Sequence, residues 1–307
     1  VNKLRAVVVT AMEETVALLS MEDGSITWKW KNTVPSNVFT PILDPFDPTS
    51  IYVGLRENAM VRLSLATGKE LGRLSVGAGV WGVPLVLEAR VIVAVTAATS
   101  VYSFDKQKLI GSASLGANDD SKGSAKDTAV VLKEADAQWV YDIMPGVRHW
   151  KPRVPSWIFC TPILWQPPAQ TTTTKSTDSS SSATATCASP LVIFGANDGK
   201  IRAVALDTGK LVWTTATSGK ITSGIEQAVV NGVAYLFYAT ENGGVGAVSP
   251  CDGAVVWKLS GLPATTEAAL QLDVTASGSS PLLVFGDSLG GVRWINPVDG
   301  AIVSHIK

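Results

Sequence analysis

A candidate nucleophile stands near the end of this chain of 307 residues. Residues 282–291 read LLVFGDSLGG, in which Gly286, Ser288 and Gly290 form the pattern Gly-x-Ser-x-Gly. In hydrolases this pattern places a serine on a sharp turn between a strand and a helix, where a histidine can remove its proton. Ser288 is therefore a nucleophile only if a helix follows it and a histidine lies within reach.

Other residue types that carry chemistry are few. His149 and His305 are the only histidines, and their separation does not match the spacing of metal ligands. The three cysteines, Cys160, Cys187 and Cys251, include no Cys-x-x-Cys pair. An odd number of unclustered cysteines favours a reducing compartment, so we expect a cytoplasmic location.

The composition limits the classes of partner. Charged residues make up 17% of the sequence and the net charge is −1. A nucleic-acid-binding surface needs clustered Lys and Arg, and no apolar run reaches the length of about 18 residues that a membrane-spanning helix requires. We therefore expect no nucleic-acid partner and no direct insertion into a membrane.

A glycine followed four residues later by a tryptophan recurs along the chain. The clearest copies pair Gly24 with Trp28, Gly146 with Trp150, Gly209 with Trp213, and Gly253 with Trp257. Weaker copies lack the tryptophan and place Gly68, Gln107 and Gly300 at the glycine position. Most of these seven anchors are 39–47 residues apart, which is close to the length of one propeller blade.

Each repeat has the same internal order of short apolar segments and turns. In one copy LVIFGAN is followed by IRAVALD, a Thr-Gly turn and the segment that carries Trp213. Segments this short, rich in Val and Ile and bounded by Gly, Asn and Asp, predict antiparallel strands joined by hairpins. Four strands in each of seven repeats predict an all-β fold, a seven-bladed β-propeller of four-stranded antiparallel blades.

Some segments do not follow the repeat directly. The first repeat starts at its second strand, so either one blade is incomplete, with three strands, or the missing strand belongs to another part of a larger protein of which this chain is one domain. Residues 10–23 and 133–144 also fit amphipathic helices, but the register of the repeat favours strands. The Ser/Thr-rich residues 167–189 predict a disordered insertion within a single propeller domain that spans residues 1–307.

The repeat resembles that of a known family. AVALDTGKLVW, residues 203–213, is similar to the repeat of the PQQ-repeat (quinoprotein alcohol dehydrogenase-like) β-propellers. The resemblance implies that the blade tryptophan packs between neighbouring blades. The enzymes of the resembled family hold pyrroloquinoline quinone over a calcium ion and against two adjacent cysteines, so the resemblance raises the possibility of such a site in this chain. This sequence has no adjacent cysteines, so we expect a non-catalytic member without a cofactor.

The predicted function is a non-enzymatic interaction scaffold or recognition propeller that binds a protein or peptide partner on a propeller rim. Trp30, Trp139 and Trp165 are candidate anchors for that partner, since aromatic residues are enriched at binding hot spots. The alternative is an alcohol or sugar dehydrogenase dependent on PQQ and calcium. For that alternative, the candidate calcium ligands by residue type are Glu226, Asn242 and Asp287.

The repeat also reassigns the candidate nucleophile. When the copies are aligned by strand order, Ser288 falls in the same turn as Asp198 and Asn242. The chain after Gly290 reads as two further strands rather than a helix. Ser288 is therefore predicted to lie in a hairpin turn, and no catalytic residue is assigned.

Overall fold

The structure is a computed structural model, and it describes residues 6–11, 14–34, 36–95, 99–110, 129–144, 157–167, 189–263, 270–273 and 281–307. The chain divides into two compact units, Val1–Pro162 and Ile163–Lys307. The predicted insertion, residues 167–189, lies outside the described residues except at its ends, and so do Gly146, Trp150, His149 and Cys187. The single propeller domain over residues 1–307 stays a prediction.

The first unit contains three sheets. Twelve strands form them: β1 (Ala6–Ala11), β2 (Thr15–Ser20), β3 (Ile26–Lys31), β4 (Ile42–Leu43), β5 (Ser50–Leu55), β6 (Ala59–Ser64), β7 (Glu70–Ser75), β8 (Leu85–Val86), β9 (Arg90–Val95), β10 (Ser100–Asp105), β11 (Val130–Lys133) and β12 (Trp139–Asp142). One short helix, α1 (Lys106–Ile110), follows β10. The strand orders are β1-β2-β3, β11-β7-β6-β5-β4 and β12-β10-β9-β8.

The second unit repeats one arrangement three times. Its strands are β13 (Ile163–Trp165), β14 (Leu191–Ala196), β15 (Lys200–Ala205), β16 (Leu211–Ala216), β17 (Glu226–Val230), β18 (Val233–Ala239), β19 (Val245–Val248), β20 (Val255–Leu259), β21 (Gln271–Asp273), β22 (Leu282–Gly286), β23 (Val292–Ile295) and β24 (Ile302–Ile306). Each sheet takes four consecutive strands in chain order. The prediction of an all-β fold built from four-stranded antiparallel blades is confirmed.

The described residues contain six sheets, so the predicted count of seven blades stays a prediction. The first sheet has three strands, as expected for the repeat that starts at its second strand. Residues 15–20 form a strand, and residues 133–144 contain the end of β11, a short 3₁₀ turn and β12. The preference for strands over helices in both segments is therefore confirmed. In the described residues no helix is long and apolar enough to cross a membrane.

The glycine turn of the repeat has one geometry in every described copy. Gly24, Gly68, Gly209, Gly253 and Gly300 have φ between 65° and 77°, and each donates its N–H to the carbonyl four residues earlier. A register shift follows the residue that pairs with the tryptophan position, for example between Ala203 and Val204. The repeated turn and bulge explain why the short pattern in the sequence marks one sheet at a time.

The tryptophan of one sheet packs against the glycine turn of the next. Trp213 Nε1 donates to the Pro250 carbonyl at 3.0 Å, and a Cβ built on Gly253 would lie 2.5 Å from the Trp213 ring. The same contacts join Trp28 to Leu65 and Gly68, and Trp257 to Pro297 and Gly300. The ring therefore fills the gap between neighbouring sheets and pairs its only polar atom.

The repeat at Gly68 departs from this rule. Gly72 occupies the tryptophan position in β7, and the space beside it is filled by Leu109 from α1, which is fully buried. The predicted turn at Gln107 is wrong, because this residue lies in α1. Asp105 Oδ1 accepts the N–H of Gln107 at 2.8 Å, which is the hydrogen bond of a helix N-cap.

Candidate interaction surface

The candidate nucleophile lies where the repeat predicts. Ser288 is in the turn between β22 and β23, which pair as an antiparallel hairpin. A strand follows the turn, so the strand-to-helix geometry of a nucleophile elbow is absent from this described segment. His305 lies on β24 and is exposed. The assignment of Ser288 to a hairpin is confirmed.

The neighbouring carboxylate stabilises the same turn. Asp287 accepts the N–H groups of Leu289 and Gly291, both at 2.9 Å, and forms an ion pair with Arg293. The hydrogen bond from Arg293, together with those from Gly291 and Leu289, holds the pKa of Asp287 below its usual range. Asp287 is therefore an ionised carboxylate committed to the hairpin.

The candidate calcium ligands do not form a calcium site. Asp287 is engaged by Arg293, and Asn242 binds Thr240 and the Ser218 carbonyl through its side chain. Glu226 is half-buried on β17, and burial raises its pKa. Within the part of the chain that the structure describes, no three His, Cys, Asp or Glu residues are grouped to hold a metal ion. These side chains do not fit the calcium-bound quinone of the resembled enzymes.

Two of the three tryptophans predicted to anchor a partner are buried. Trp139 and Trp165 are each 7% exposed, which leaves little ring surface for binding. Trp30 is half-buried and packs against an apolar core cluster in the first unit. The aromatic residues that face solvent together are different ones.

Four aromatic side chains of the first unit form a cluster that the sequence analysis missed. We call Phe39, Trp81, Trp157 and Phe159 the aromatic cluster. Each of them is half-buried, so the rings present apolar faces while they contact one another. Phe39 lies in the segment before β4, Trp81 in the segment before β8, and Trp157 and Phe159 in the segment at residues 157–162.

Alternation along the chain positions these rings. Val38, Val80 and Ile158 are buried, and the aromatic residues Phe39, Trp81 and Phe159 each follow one of them directly. Side chains alternate in direction along an extended chain, so anchoring the β-branched residue in the core turns the next residue away from it. Backbone hydrogen bonds hold two of these segments in place. Phe39 N–H donates to Gly54 O at 3.0 Å, and Val80 N–H donates to Leu55 O at 2.9 Å.

Trp81 is the centre of the cluster. Its ring centroid lies 5.7 Å from that of Phe39, 5.9 Å from that of Trp157 and 5.4 Å from that of Phe159. The interplanar angles of these pairs are 26°, 64° and 48°. Stacked and tilted pairs in this range of distances are favourable arrangements for aromatic rings. The cluster is therefore a preformed aromatic surface.

Two polar groups adjoin the aromatic cluster. The guanidinium of Arg56 lies 6.0 Å from the Trp81 ring centroid, and the Arg56 side chain is exposed. Among the described residues Arg56 has no ion-pair partner. Trp157 Nε1 is buried and has no hydrogen-bond acceptor in the part of the chain that the structure describes. The surface thus combines apolar rings with a free cation and one unsatisfied N–H donor.

A second polar group of residues in the first unit is enclosed. Lys106 Nζ lies 2.6 Å from Asp44 Oδ1, and their side chains are 2% and 0% exposed. Asp44 also accepts backbone N–H groups from Phe46 and Asp47. Burial raises the pKa of the neighbouring Tyr52 hydroxyl. This ion pair is inaccessible to a ligand and stabilises the loop that leads into β5.

The sequence carried a signal for the aromatic cluster. VFTPIL, VWGVPLV and IFCTPIL each place an aromatic residue after a β-branched one and a few residues before a proline. The corresponding segment of the second unit has Thr222 after the buried Ile221. Comparing these segments position by position predicts that three aromatic residues occupy equivalent places.

The repeats assign the chain to a family. Its sequence matches the family described as outer membrane protein assembly factor BamB, over residues 12–234 and 112–290. The chain belongs to the BamB family. The crystal structure of BamB from Moraxella catarrhalis is similar, with a TM-score of 0.58 and 17% sequence identity over 97% of this chain and 69% of that chain. At this identity the likeness shows the fold, and the chain is a PQQ-repeat β-propeller like BamB. A comparison with curated proteins gave no match.

Membership of the BamB family corrects one prediction. The expected cytoplasmic location is wrong, because the family is described as an outer membrane protein assembly factor. The cysteines agree with this correction: Cys251 is disulfide-bonded, and Cys160 is a buried thiol. Disulfides persist in oxidising compartments. Spacing in the sequence misled the prediction because it does not report which cysteines are close in space.

Proposed function

We propose that this chain is a non-enzymatic protein-interaction scaffold, with a protein or peptide partner bound on a propeller rim. The supporting observation is the aromatic cluster. Binding of a partner over these rings is favourable because apolar surface leaves water. The rings themselves transfer no protons and attack no carbonyl groups. The residues that suggested catalysis, Ser288 and Asp287, are accounted for by a hairpin turn.

Site-specific cross-linking tests the scaffold. A photoreactive phenylalanine analogue replaces Phe39 in one variant and Phe46, an exposed aromatic residue of the same unit, in another. In the native source, we expect the analogue at position 39 to cross-link a discrete protein that the analogue at position 46 does not capture. Equal capture at both positions would contradict a partner at the aromatic cluster.

A parallel titration tests the alternative function. Purified protein is mixed with PQQ and calcium, and the absorbance of the quinone is followed during addition of alcohols and sugars. The scaffold proposal expects no saturable change and no substrate oxidation. PQQ-dependent oxidation would replace it with the dehydrogenase.

A further inference from the structure

We propose that the aromatic cluster binds an extended, proline-containing acidic segment of a partner protein. This inference rests on the proposed scaffold function and names the chemistry of the partner. Three independent features of the cluster specify the segment: its apolar rings, the unpaired cation of Arg56 and the unsatisfied N–H of Trp157.

The rings specify an apolar group with a flat face. Trp81 stacks on Phe39 and meets Trp157 and Phe159 at steeper angles, and all four side chains keep part of their surface in solvent. Such an uneven aromatic surface suits the rings of proline, which dock between aromatic side chains in grooves that recognise polyproline II segments. A polyproline II segment is already extended before binding, so little conformational entropy is lost on docking.

Arg56 specifies a carboxylate. Its guanidinium lies over the Trp81 ring and has no ion-pair partner among the described residues. An Asp or Glu side chain of the bound segment would form a charge-assisted hydrogen bond beside the ring. The cation thus sits at the edge of the apolar surface, where a side chain adjacent to a docked proline reaches it.

Trp157 specifies a hydrogen-bond acceptor. Its Nε1 is buried without an acceptor, and an unpaired buried donor is unfavourable. The carbonyls of a polyproline II segment make no internal hydrogen bonds, so they are free to accept. In the proposed complex the half-buried Trp157 ring turns so that this buried N–H reaches such a carbonyl. This buried donor therefore matches the group that an extended segment offers most often.

Fluorescence anisotropy with the intact chain tests the proposal. The probe is a fluorescein-labelled peptide of repeated Pro-Pro-Asp units, and the comparison peptides of equal length repeat Pro-Pro-Lys and Gly-Ser-Asp. We expect saturable binding of the Pro-Pro-Asp peptide alone. Arg56→Gln should weaken it roughly tenfold, the scale of one charge-assisted contact. Lys108→Gln, which removes an exposed cation of α1, should leave it unchanged.

The ring contacts have their own variants. Trp81→Leu should remove measurable binding, and Phe39→Leu should weaken it in a chain whose circular dichroism and thermal midpoint match the native protein. Phe46→Ala is the matched control, because Phe46 is an exposed aromatic residue outside the cluster. Native affinity in a folded Phe39→Leu variant, or equal binding of the Lys and Asp peptides, would overturn the proposal.

Two further outcomes separate this inference from the scaffold itself. If position 39 cross-links a protein but no Pro-Pro-Asp peptide binds, the acidic proline segment is refuted while the scaffold stands. If maltoheptaose binds at the cluster and competes with the peptide, or binds there when the peptide does not, the surface recognises sugar and the peptide inference is refuted. Competition between the captured protein and the peptide would support both proposals.

Discussion

At the scale of single residues, one indole ring does two tasks between each pair of sheets that it joins. Trp213 fills the space above Gly253 and donates its N–H to Pro250, while Thr215 Oγ1 donates to the Gly253 carbonyl at 2.5 Å. A buried indole without an acceptor would be unfavourable. Glycine is required at position 253 both by its φ of 71° and by the closeness of the ring.

We expect Gly253→Ala to destabilise the protein more than Gly232→Ala. Both glycines have positive φ, so each alanine costs about 1–2 kcal/mol in backbone strain. A Cβ at position 253 would also lie 2.5 Å from the Trp213 ring, whereas none of the surroundings of Gly232 lies within 4 Å of such a Cβ. Urea unfolding of both variants measures the difference. Equal losses of stability would show that the ring contact is irrelevant.

The pairing of Asp287 with Arg293 predicts a particular dependence of stability on pH. The pKa of Asp287 is lowered in the folded state, so its carboxylate stabilises the fold at pH values above the unfolded pKa near 4. This contribution is lost as the pH falls through the folded pKa. Asp287→Asn should therefore be less stable than the native chain at neutral pH, with a gap that narrows in acid. Unfolding at several pH values measures the stability of both proteins. A difference in stability that stays constant across these pH values would contradict the pairing.

The residues of the repeat were readable from the sequence because each copy carries them at the same spacing. Gly24, Trp28, Gly209 and Trp213 stand out without any knowledge of the fold. The aromatic cluster was missed because the equivalent positions of Phe39, Trp81 and Phe159 in their segments do not show that the three rings meet. Only the folded chain brings the ring centroids of Phe39 and Phe159 within 6 Å of that of Trp81.

At the scale of elements, a leucine of α1 fills the space that a tryptophan side chain fills in other repeats. Where β7 has Gly72 instead of tryptophan, α1 places Leu109 against it. The sequence contained a local signal for this helix, because Asp105 precedes a run of good helix formers, KQKLI, and caps it. The repeat register assigned a turn to the same residues, and the local capping interaction prevailed.

Leu109→Ala should therefore cost about 2–5 kcal/mol, as expected for a fully buried leucine. The cavity opens over Gly72, which has no side chain to fill it. Leu211→Ala provides the control, because Leu211 is 46% exposed on β16. Denaturant unfolding measures both variants, and a loss at Leu109 no larger than that at Leu211 would refute the replacement of the tryptophan by Leu109.

At the scale of the whole molecule, family membership changed the expected compartment, and the cysteines allow a direct check. Cys251 is disulfide-bonded and Cys160 is a buried thiol. In denaturant without reductant, iodoacetamide should modify Cys160 and leave Cys251 unmodified. Prior reduction should make Cys251 reactive as well. Peptide mass spectrometry reads both positions, and alkylation of Cys251 in the unreduced sample would contradict the disulfide.

The all-β fold of repeated antiparallel blades could be predicted because hairpins are local and each is encoded by a short segment. The pairing of β11 with β7 could not, since it is parallel and joins residues 130–133 to residues 72–75 across three intervening strands and a helix. Such long-range pairing depends on the geometry of the assembled sheets and leaves no periodic signal in the sequence.

That pairing has a consequence for self-association. An outer strand with unpaired amides is a template on which another chain can add a strand, and the exposed outer strands β16, β20 and β24 carry Val, Leu or Ile side chains. In the second sheet β11 pairs with the outer edge of β7, so the backbone amides of β7 that face it are not available as such a template. The new outer strand β11 is four residues long and ends with the exposed Lys133, and short edge strands with charged side chains are less prone to pair with another chain.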